Sequence, residues 1–317
     1  MITSNNCISF NLNLDSDSNS QNLVKIHKVI ARRGITSNRK AEDLIKQGRV
    51  KIEGRTAQIG ELVRDDIIIT IDEKKYLKNH NFKHTTFIMN KKIGVECSRK
   101  PFKNIYPSIF SHFNSKEEYF NSLKCVGRLD VLTSGLIIIT TNSQLSQKII
   151  HPSSNIIKTY IVGLDNTLNE KCKLELLNKG IIIEYSISKP LSISKLDYSK
   201  FNSNLKEQIK SEQLKSQRTT QKLFWYEIKV SEGKKHIIRK FFEYYKYKVK
   251  ALHRTKIGNL DLTQFNLNQG SFEKIDEEKL LGLIFKNKLN KKVNNKFNNK
   301  FSNKFNKKIN NKFNKKS

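Results

Sequence analysis

The sequence predicts an α+β protein with two folded segments, residues 23–72 and 84–285, joined by a charged linker at 73–83. Three observations divide the 317-residue chain in this way. The first segment opens with two short helical patterns followed by strand-like runs, whereas the second mixes strand-like and helical runs throughout. Residues 1–22 are mainly Ser, Asn and Asp, and residues 286–317 are mainly Lys and Asn. We expect both of these ends to be disordered.

The first segment contains two consecutive helices and a small β unit. Apolar side chains recur on one face of the run VKIHKVIARRG, which Gly34 ends. Ser37 can cap a second helix that Gly48 ends. Strand-like runs then follow at 49–55 and 65–71.

The second segment alternates strands and helices. A polar stretch at 196–222 interrupts it, and we interpret this stretch as a surface insertion with a helical piece. The strand-like runs are TTFIMN, GLIIIT, KTYIVGL, GIIIEYSI and FWYEIKV, and the helical runs are SQLSQKII, NEKCKLELLNKG and HIIRKFFEYY.

The charge balance favours a polyanionic partner. The chain has 60 Lys and Arg against 29 Asp and Glu, for a net charge of +31. Nucleic acid is the leading candidate, because many weak contacts between cations and backbone phosphates add up to a substantial binding affinity. Codon bias in an AT-rich genome is the alternative source of the excess Lys and Asn. The Lys-rich tail at 286–317 fits either interpretation.

The cysteines and apolar runs favour a reduced, metal-free cytoplasmic protein. The four cysteines form no C-x-x-C pair and no zinc-binding spacing. Apolar runs such as 135–139 are too short to cross a bilayer. The first 22 residues contain no Lys or Arg, which argues against a signal or transit peptide.

The run GRLDVLTSGLIIITTN contains a candidate active-site carboxylate, Asp130, between a glycine and an apolar strand. Gly127 permits close backbone approach to a ligand, and Asp130 lies just before an apolar strand that would shield it from water. A charge in that position needs a partner, for which Arg128 and Arg239 are candidates. Taken alone, Asp130 could equally be a turn residue that caps the next element.

Several motifs together resemble those of the pseudouridine synthases, specifically the RsuA/RluB branch that modifies ribosomal RNA. FIMNKKIGVECS is similar to the family's N-K-P-x-G element, and GRLDVLTSGL to its catalytic motif. HPSSNIIKTYIV, SEGKKHIIRKFF and ALHRTKIGNLDL are similar to its H-P-S…K-x-Y, E-G-R-x-x-Q-V-R-R-M and R-x-x-I-G patterns. The chain departs from the family at Lys92, Lys234 and Ile237, where proline, arginine and glutamine are usual.

The resemblance implies a mixed, mainly antiparallel sheet and the isomerisation of uridine to pseudouridine on a flipped-out nucleotide. In this interpretation Asp130 adds to the sugar carbon or stabilises charge there, Tyr160 lies against the uracil, and Arg239 keeps Asp130 ionised and aimed. The implied catalytic residues are Asp130, Tyr160 and Arg239, and the implied substrate-binding residues are Gly127, Arg128, Lys158 and Ile238.

The first segment resembles an S-four-type RNA-binding domain over the run KIHKVIARRGITSNRKAEDLIKQGRVKIEGRTAQIGELV. That family docks its paired helices on structured RNA. The resemblance implies RNA contacts by Arg32, Arg39, Lys40 and Arg49, although each alone could be an ordinary surface charge.

The resulting expectation is a monomeric isomerase that acts on ribosomal RNA or a ribosomal subunit precursor. The reaction is redox-neutral and the sequence contains no nucleotide-binding fingerprint or metal cluster, so no cofactor and no metal are expected. No membrane partner is expected, and large-subunit rRNA is slightly favoured over small-subunit rRNA. The alternative is a non-catalytic RNA-binding assembly factor that retains the synthase fold.

Overall fold

The computed structural model describes residues 23–77, 84–117, 119–201, 205–206 and 222–285. The chain divides into two compact units. The first unit comprises residues 1–33 and 37–81, and the second comprises residues 34–36 and 82–317. The expected disordered lead-in and basic tail, and most of the polar insertion, lie outside the described residues.

The described residues of the first unit form two helices and two small antiparallel sheets. Strands β1 and β4 form one sheet, and the other has the order β3-β2-β5-β6. The elements are β1 Val24–Lys25, α1 Ile26–Arg32, α2 Asn38–Lys46, β2 Val50–Ile52, β3 Arg55–Thr56, β4 Leu62–Val63, β5 Ile69–Ile71 and β6 Lys74–Tyr76.

The helix predictions for this unit are confirmed. Helix α1 buries Ile26, Val29 and Ile30 on one face, because these apolar side chains recur at helical spacing. The side chain of Ser37 caps α2 by accepting a hydrogen bond from the Lys40 backbone N–H. Strand β6 pairs with β5 and so extends the sheet past residue 72, where the sequence placed the start of a linker.

Among its described residues, the second unit is built on a nine-stranded sheet. Its main strand order is β13-β14-β10-β15-β9-β7-β17, with β8 paired to β9 and β16 paired to β15. The elements are β7 Thr86–Lys91, β8 Lys124–Val126, β9 Ser134–Thr140, α3 Ser143–Ile150, β10 Lys158–Leu164, α4 Glu170–Asn178, β11 Ile181–Ile183, β12 Ser186–Ser188, β13 Ser192–Lys195, β14 Phe224–Val230, α5 Ile237–Tyr244, β15 Val249–Ile257, β16 Leu260–Asp261 and β17 Phe272–Ile275.

The sheet is mixed because β9 and β15 run parallel, whereas the other described pairs in the sheet are antiparallel. This confirms the predicted α+β class with a mixed sheet. The long strands β9 and β10 are apolar and largely buried, since layers of side chains cover both faces of the sheet.

Glycine permits the close approach of the parallel strands. Gly135 has φ +103°, and a Cβ at this position would overlap the backbone carbonyl of Arg254. The two residues are register partners. A larger residue would therefore separate β9 from β15 at the point where the connection from β8 enters the sheet.

Two sequence interpretations change in the structure. The run GIIIEYSI forms two strands, β11 and β12, because Glu184 and Tyr185 adopt positive φ angles and turn the chain back on itself. Strand β15, for which no strand was predicted, lies between β9 and β10. Two of its charged or polar residues, His253 and Arg254, are buried inside the sheet, which interrupts the usual apolar pattern.

In the described part of the chain, the cysteines Cys97, Cys125 and Cys172 are free. No group of three or more His, Cys, Asp or Glu side chains there is arranged to hold a metal ion. None of the described helices is long and apolar enough to cross a membrane.

Candidate active site

The connection between β8 and β9 presents Asp130. Gly127 starts it with φ +73°, a left-handed conformation that suits glycine. The Thr133 backbone N–H donates to the Asp130 carbonyl at 3.0 Å and closes a turn, and the Gly94 N–H donates to the Val131 carbonyl at 2.9 Å. Asp130 is therefore held on a braced turn, with 35% of its side chain exposed.

Asp130 borders a cavity of about 260 Å³. Cavities of roughly 300–1,000 Å³ hold drug-sized ligands, so this volume suits a ligand about as small as one nucleoside. Basic side chains greatly outnumber acidic ones in its wall. The charged residues lining it are Asp130, Glu232, Arg128, Lys158, Lys234, Lys235, Arg239 and Arg254, with His236 beside them.

His236 makes the direct ion pair of Asp130, with 3.4 Å between Nε2 and Oδ1. The residue precedes helix α5 and has φ 56° and ψ 23°, a left-handed conformation that non-glycine residues seldom adopt. This backbone angle lets the imidazole face the carboxylate while the helix continues away from it. The interaction is a charged pair only when the imidazole is protonated.

Arg239 lies on α5 beside the same cavity, but its hydrogen bonds differ from those expected. Its Nη2 donates to the Leu132 carbonyl at 2.7 Å and its Nη1 to the Val249 carbonyl at 3.0 Å. Burial lowers the pKa of Arg239, and the nearby Asp130 opposes that shift. Arg239 therefore fastens the Asp130 turn to β15 and acts on the carboxylate only through its nearby charge.

Strand β10 contributes Lys158 and Tyr160 to the cavity. Lys158 donates from Nζ to the Ser231 carbonyl at 2.8 Å. Burial lowers the pKa of Lys158, and the positive charge of Arg254 lowers it further. Tyr160 pairs in register with Arg254 on β15, whose guanidinium carbon is 6.0 Å from the centre of the phenol ring.

The other predicted substrate-binding residues also lie at the cavity. Ile238 is 3% exposed and closes its apolar side. Arg128 is exposed and borders both this cavity and an adjoining one of about 570 Å³. A Cβ at Gly127 would meet no atom within 4 Å, so the turn requires this residue's backbone freedom more than its lack of a side chain.

Lys234 stands where the resembled motif has arginine. Its Nζ donates to the Ile183 carbonyl at 3.0 Å and to the hydroxyls of Ser186 and Ser188 at 2.6 Å each, and it pairs with Glu232 at 3.3 Å. A single ammonium thus ties the β11–β12 hairpin to the cavity wall. The substitution is accommodated because the carbonyl and both hydroxyls converge on one nitrogen.

The family model described as RNA pseudouridylate synthase matches residues 85–244. This match spans half of the chain and includes the whole run from β8 to Arg239. The chain belongs to the RNA pseudouridylate synthase family. It is a pseudouridine synthase, an isomerase, and the comparisons do not favour a non-catalytic assembly factor.

Two relatives and one solved structure show how far the likeness extends. The synthase is 30% identical over 277 residues to a ribosomal large subunit pseudouridine synthase B from Buchnera aphidicola subsp. Schizaphis graminum, covering 84% of this chain and 98% of the relative. It is 27% identical to an uncharacterized RNA pseudouridine synthase from Aquifex aeolicus, covering 82% and 93%. A crystal structure of a pseudouridylate synthase shares the fold, with TM-score 0.54, 24% identity and coverage of 82% of this chain and all of that one.

The four predicted RNA-binding cations in the first unit of the synthase differ in their partners: two form ion pairs with carboxylates and two are exposed on helix α2. Arg49 donates from Nε and Nη2 to the two carboxylate oxygens of Asp72 at 2.8 and 2.6 Å, and Arg32 pairs with Asp65 at 3.1 Å. Arg39 and Lys40 are exposed on the first turn of α2. Because Asp72 and Asp65 already neutralise two of these cations, Arg39 and Lys40 are the more available for phosphates.

Sequence reasoning missed three basic residues of the synthase site, His236, Lys91 and Arg254. Lys91 is fully buried, and its Nζ donates to the Lys92 and Thr133 carbonyls at 2.8 and 2.9 Å, which braces the Asp130 turn. All three residues lie inside the motifs that resemble those of the family. A basic residue within an apolar strand, as in LHRTKI, was the available signal for Arg254.

Proposed function

We propose that this synthase converts uridine in ribosomal RNA to pseudouridine, with large-subunit rRNA as the preferred substrate. The observation that carries the proposal is the position of Asp130, on a braced turn at the mouth of a cation-rich cavity that also contains Tyr160. The name of the Buchnera aphidicola relative, ribosomal large subunit pseudouridine synthase B, supports the choice of RNA.

The reaction requires one carboxylate at the sugar. The bond from the anomeric carbon to nitrogen 1 breaks, the uracil turns, and the same carbon joins carbon 5, which then loses its proton while nitrogen 1 gains one. We assign Asp130 the task of adding to the anomeric carbon or stabilising its positive charge. No electron or group is gained overall, so these steps use only the chain's own side chains.

Tyr160 and Ile238 would hold the uracil. The Tyr160 ring offers an aromatic surface, and Ile238 supplies an apolar wall that excludes water. The Tyr160 hydroxyl is the candidate for assisting proton removal from carbon 5. Since a uridine inside folded RNA hides its sugar carbon, the nucleotide must be flipped out, which is least costly in a loop or bulge.

The cations would bind the phosphates around that nucleotide. Exposed Arg128 and Lys235 lie at the cavity, and Lys158 extends the positive wall inward. In the first unit we propose that Arg39 and Lys40 contact structured RNA, as the resemblance to an S-four-type domain implies. Arg32 and Arg49 would join them only by exchanging their present carboxylate partners for phosphates.

The test uses purified full-length protein and large- and small-subunit rRNA transcripts labelled with tritium at carbon 5 of uracil. Wild-type protein should release tritium from the large-subunit transcript. Asp130→Asn should reduce the rate more than about 1,000-fold, as loss of a nucleophile does, with unchanged RNA affinity in filter binding. Asp165→Asn is the matched control, since Asp165 lies outside the cavity and accepts a hydrogen bond from the Lys248 N–H.

Three results would contradict parts of this proposal. Isomerisation by the Asp130→Asn variant would remove the role of Asp130. Release from the small-subunit transcript alone would overturn the choice of subunit. Release from neither transcript, while other RNA from the same cells is modified, would exclude ribosomal RNA as the substrate.

A further inference from the structure

Arg254 carries a buried donor without a partner. The residue is 4% exposed, and its Nε donates to the Leu136 carbonyl at 2.7 Å. Its Nη2 is buried and has no hydrogen-bond partner among the described residues. Leaving a buried polar group unpaired destabilises the folded state, and a charged group does so more strongly than a neutral one. Arg254 borders the active-site cavity, so a bound ligand could supply the missing acceptor.

The strand holds this guanidinium in place. Arg254 lies on β15 between two neighbours, in register with Gly135 on β9 and with Tyr160 on β10. Gly135 leaves the space that lets the β15 backbone approach β9. Because both sides of the strand are paired, the side chain cannot reach another partner through a simple movement of the backbone.

The surroundings of Arg254 favour a negative charge or a strong acceptor. None of the described carboxylates forms an ion pair with it within 4.0 Å, and the titratable groups that its charge influences are the cation Lys158 and the thiols Cys97 and Cys125. The positive charge of Arg254 lowers the pKa of Lys158. Lys158 and Arg254 are two neighbouring cations that are largely shielded from water. A hydrogen-bond acceptor bound in the cavity next to them would therefore stabilise both charges.

Arg254 also lies where a base would rest. It borders the same cavity as Asp130, and its guanidinium carbon is 6.0 Å from the centre of the Tyr160 ring. A uracil placed against that ring would bring a ring carbonyl toward the inner wall formed by Arg254. Backbone phosphates fit this position less well, because they would have to leave solvent while Arg128 and Lys235 are exposed at the same cavity.

We propose that Arg254 is a uracil-binding residue, donating from its unpartnered guanidinium edge to a ring carbonyl of the target base. The proposal rests on the function proposed above. When the glycosidic bond breaks, its electron pair passes to the uracil and spreads over nitrogen 1 and the carbonyl oxygens. The Arg254 guanidinium stabilises that charge by donating to a carbonyl oxygen, as preorganised donors do at developing oxyanions.

Arg254→Met and Arg254→Lys test the assignment with the large-subunit transcript. Arg254→Met should lower the single-turnover rate about 100-fold or more, as loss of one oxyanion donor does, while the RNA dissociation constant rises only about 3- to 10-fold, the equivalent of one hydrogen bond. Arg254→Lys retains the charge without the planar fork and should lose about tenfold. The matched control is Arg99→Met, because Arg99 is also packed on an aromatic ring, 4.4 Å from that of Phe110, but lies outside the cavity.

Wild-type protein gives a second test that needs no folded variant. Once tritium release has located the modified uridine, fragments carrying uridine, 2-thiouridine or 4-thiouridine at that position are compared in equilibrium binding. Sulfur accepts hydrogen bonds weakly, so one thio fragment should bind about 3- to 10-fold more weakly, the equivalent of one hydrogen bond. The affected carbonyl is the one that Arg254 contacts.

Equal affinities for all three fragments would overturn the proposal, as would an Arg254→Met rate within threefold of wild type. A large increase in the dissociation constant with an unchanged single-turnover rate would instead indicate a backbone phosphate as the ligand and would also overturn it. Failure of the proposed function is recognised separately, because either wild-type protein would then release no tritium from the rRNA transcripts or Asp130→Asn would remain active, whatever the behaviour of Arg254.

Discussion

The two hydrogen bonds of Arg239 provide a sharp test of how the Asp130 turn is held. The guanidinium spans two carbonyls, Leu132 at 2.7 Å and Val249 at 3.0 Å. Hydrogen bonds from a charged donor contribute about 1.5–3 kcal/mol each. The bond to Leu132 is exposed, so solvent reduces its contribution. Arg239→Met should therefore lower the free energy of unfolding by roughly 2–4 kcal/mol.

The catalytic effect should exceed the effect on stability. A displacement of about 1 Å at a reacting group can cost about 100-fold in rate, and loss of this fastening frees the turn that carries Asp130. Arg239→Lys retains the charge near Asp130, but one ammonium cannot reproduce a fork to two carbonyls. If the fastening dominates, we expect Arg239→Lys to lose most of the activity that Arg239→Met loses.

Urea unfolding and single-turnover tritium release measure the two effects. Near-wild-type activity of Arg239→Lys together with low activity of Arg239→Met would refute the fastening and favour a purely electrostatic role. Wild-type stability of Arg239→Met would show that the two carbonyl bonds contribute little. Unchanged activity in both variants would remove Arg239 from the active site.

Three further predictions follow from individual side chains. Burial lowers the pKa of His253 from 6.5 to about 4, so the unfolded chain binds a proton there that the folded chain does not. The free energy of unfolding should consequently fall by about 3 kcal/mol as the pH drops from 6.5 to about 4. Urea unfolding at several pH values measures this pH dependence, which His253→Gln should flatten. Arg39→Ala should reduce the salt slope of RNA binding by about one, whereas Arg49→Ala should change it less; equal slopes would contradict the distinction. Gly135→Ala should cost about 3 kcal/mol or more in thermal melts, against about 1 kcal/mol for Gly127→Ala, whose added Cβ meets open space.

The placement of His236 and Arg239 shows why the site could be predicted only in part. Motif order correctly brought Asp130, Tyr160 and Arg239 to one cavity, because each motif has a characteristic place in the family fold. The order could not show that His236 pairs with the carboxylate, since that pairing depends on a left-handed backbone at one residue. Nor could it show that Asp72 already pairs with Arg49.

Local pattern by itself determined the helices, the long apolar strands and the α+β class, because caps, glycines and apolar spacing act over a few residues. It also determined which motifs are present, and through them the family. Only the tertiary structure decided which groups meet: the parallel contact of β9 with β15, the carbonyls that Arg239 reaches, and the unpartnered nitrogen of Arg254. These contacts join residues more than a hundred positions apart in some cases, such as Arg239 and Leu132 at a separation of 107. No local rule of spacing or propensity specifies a pairing across that distance.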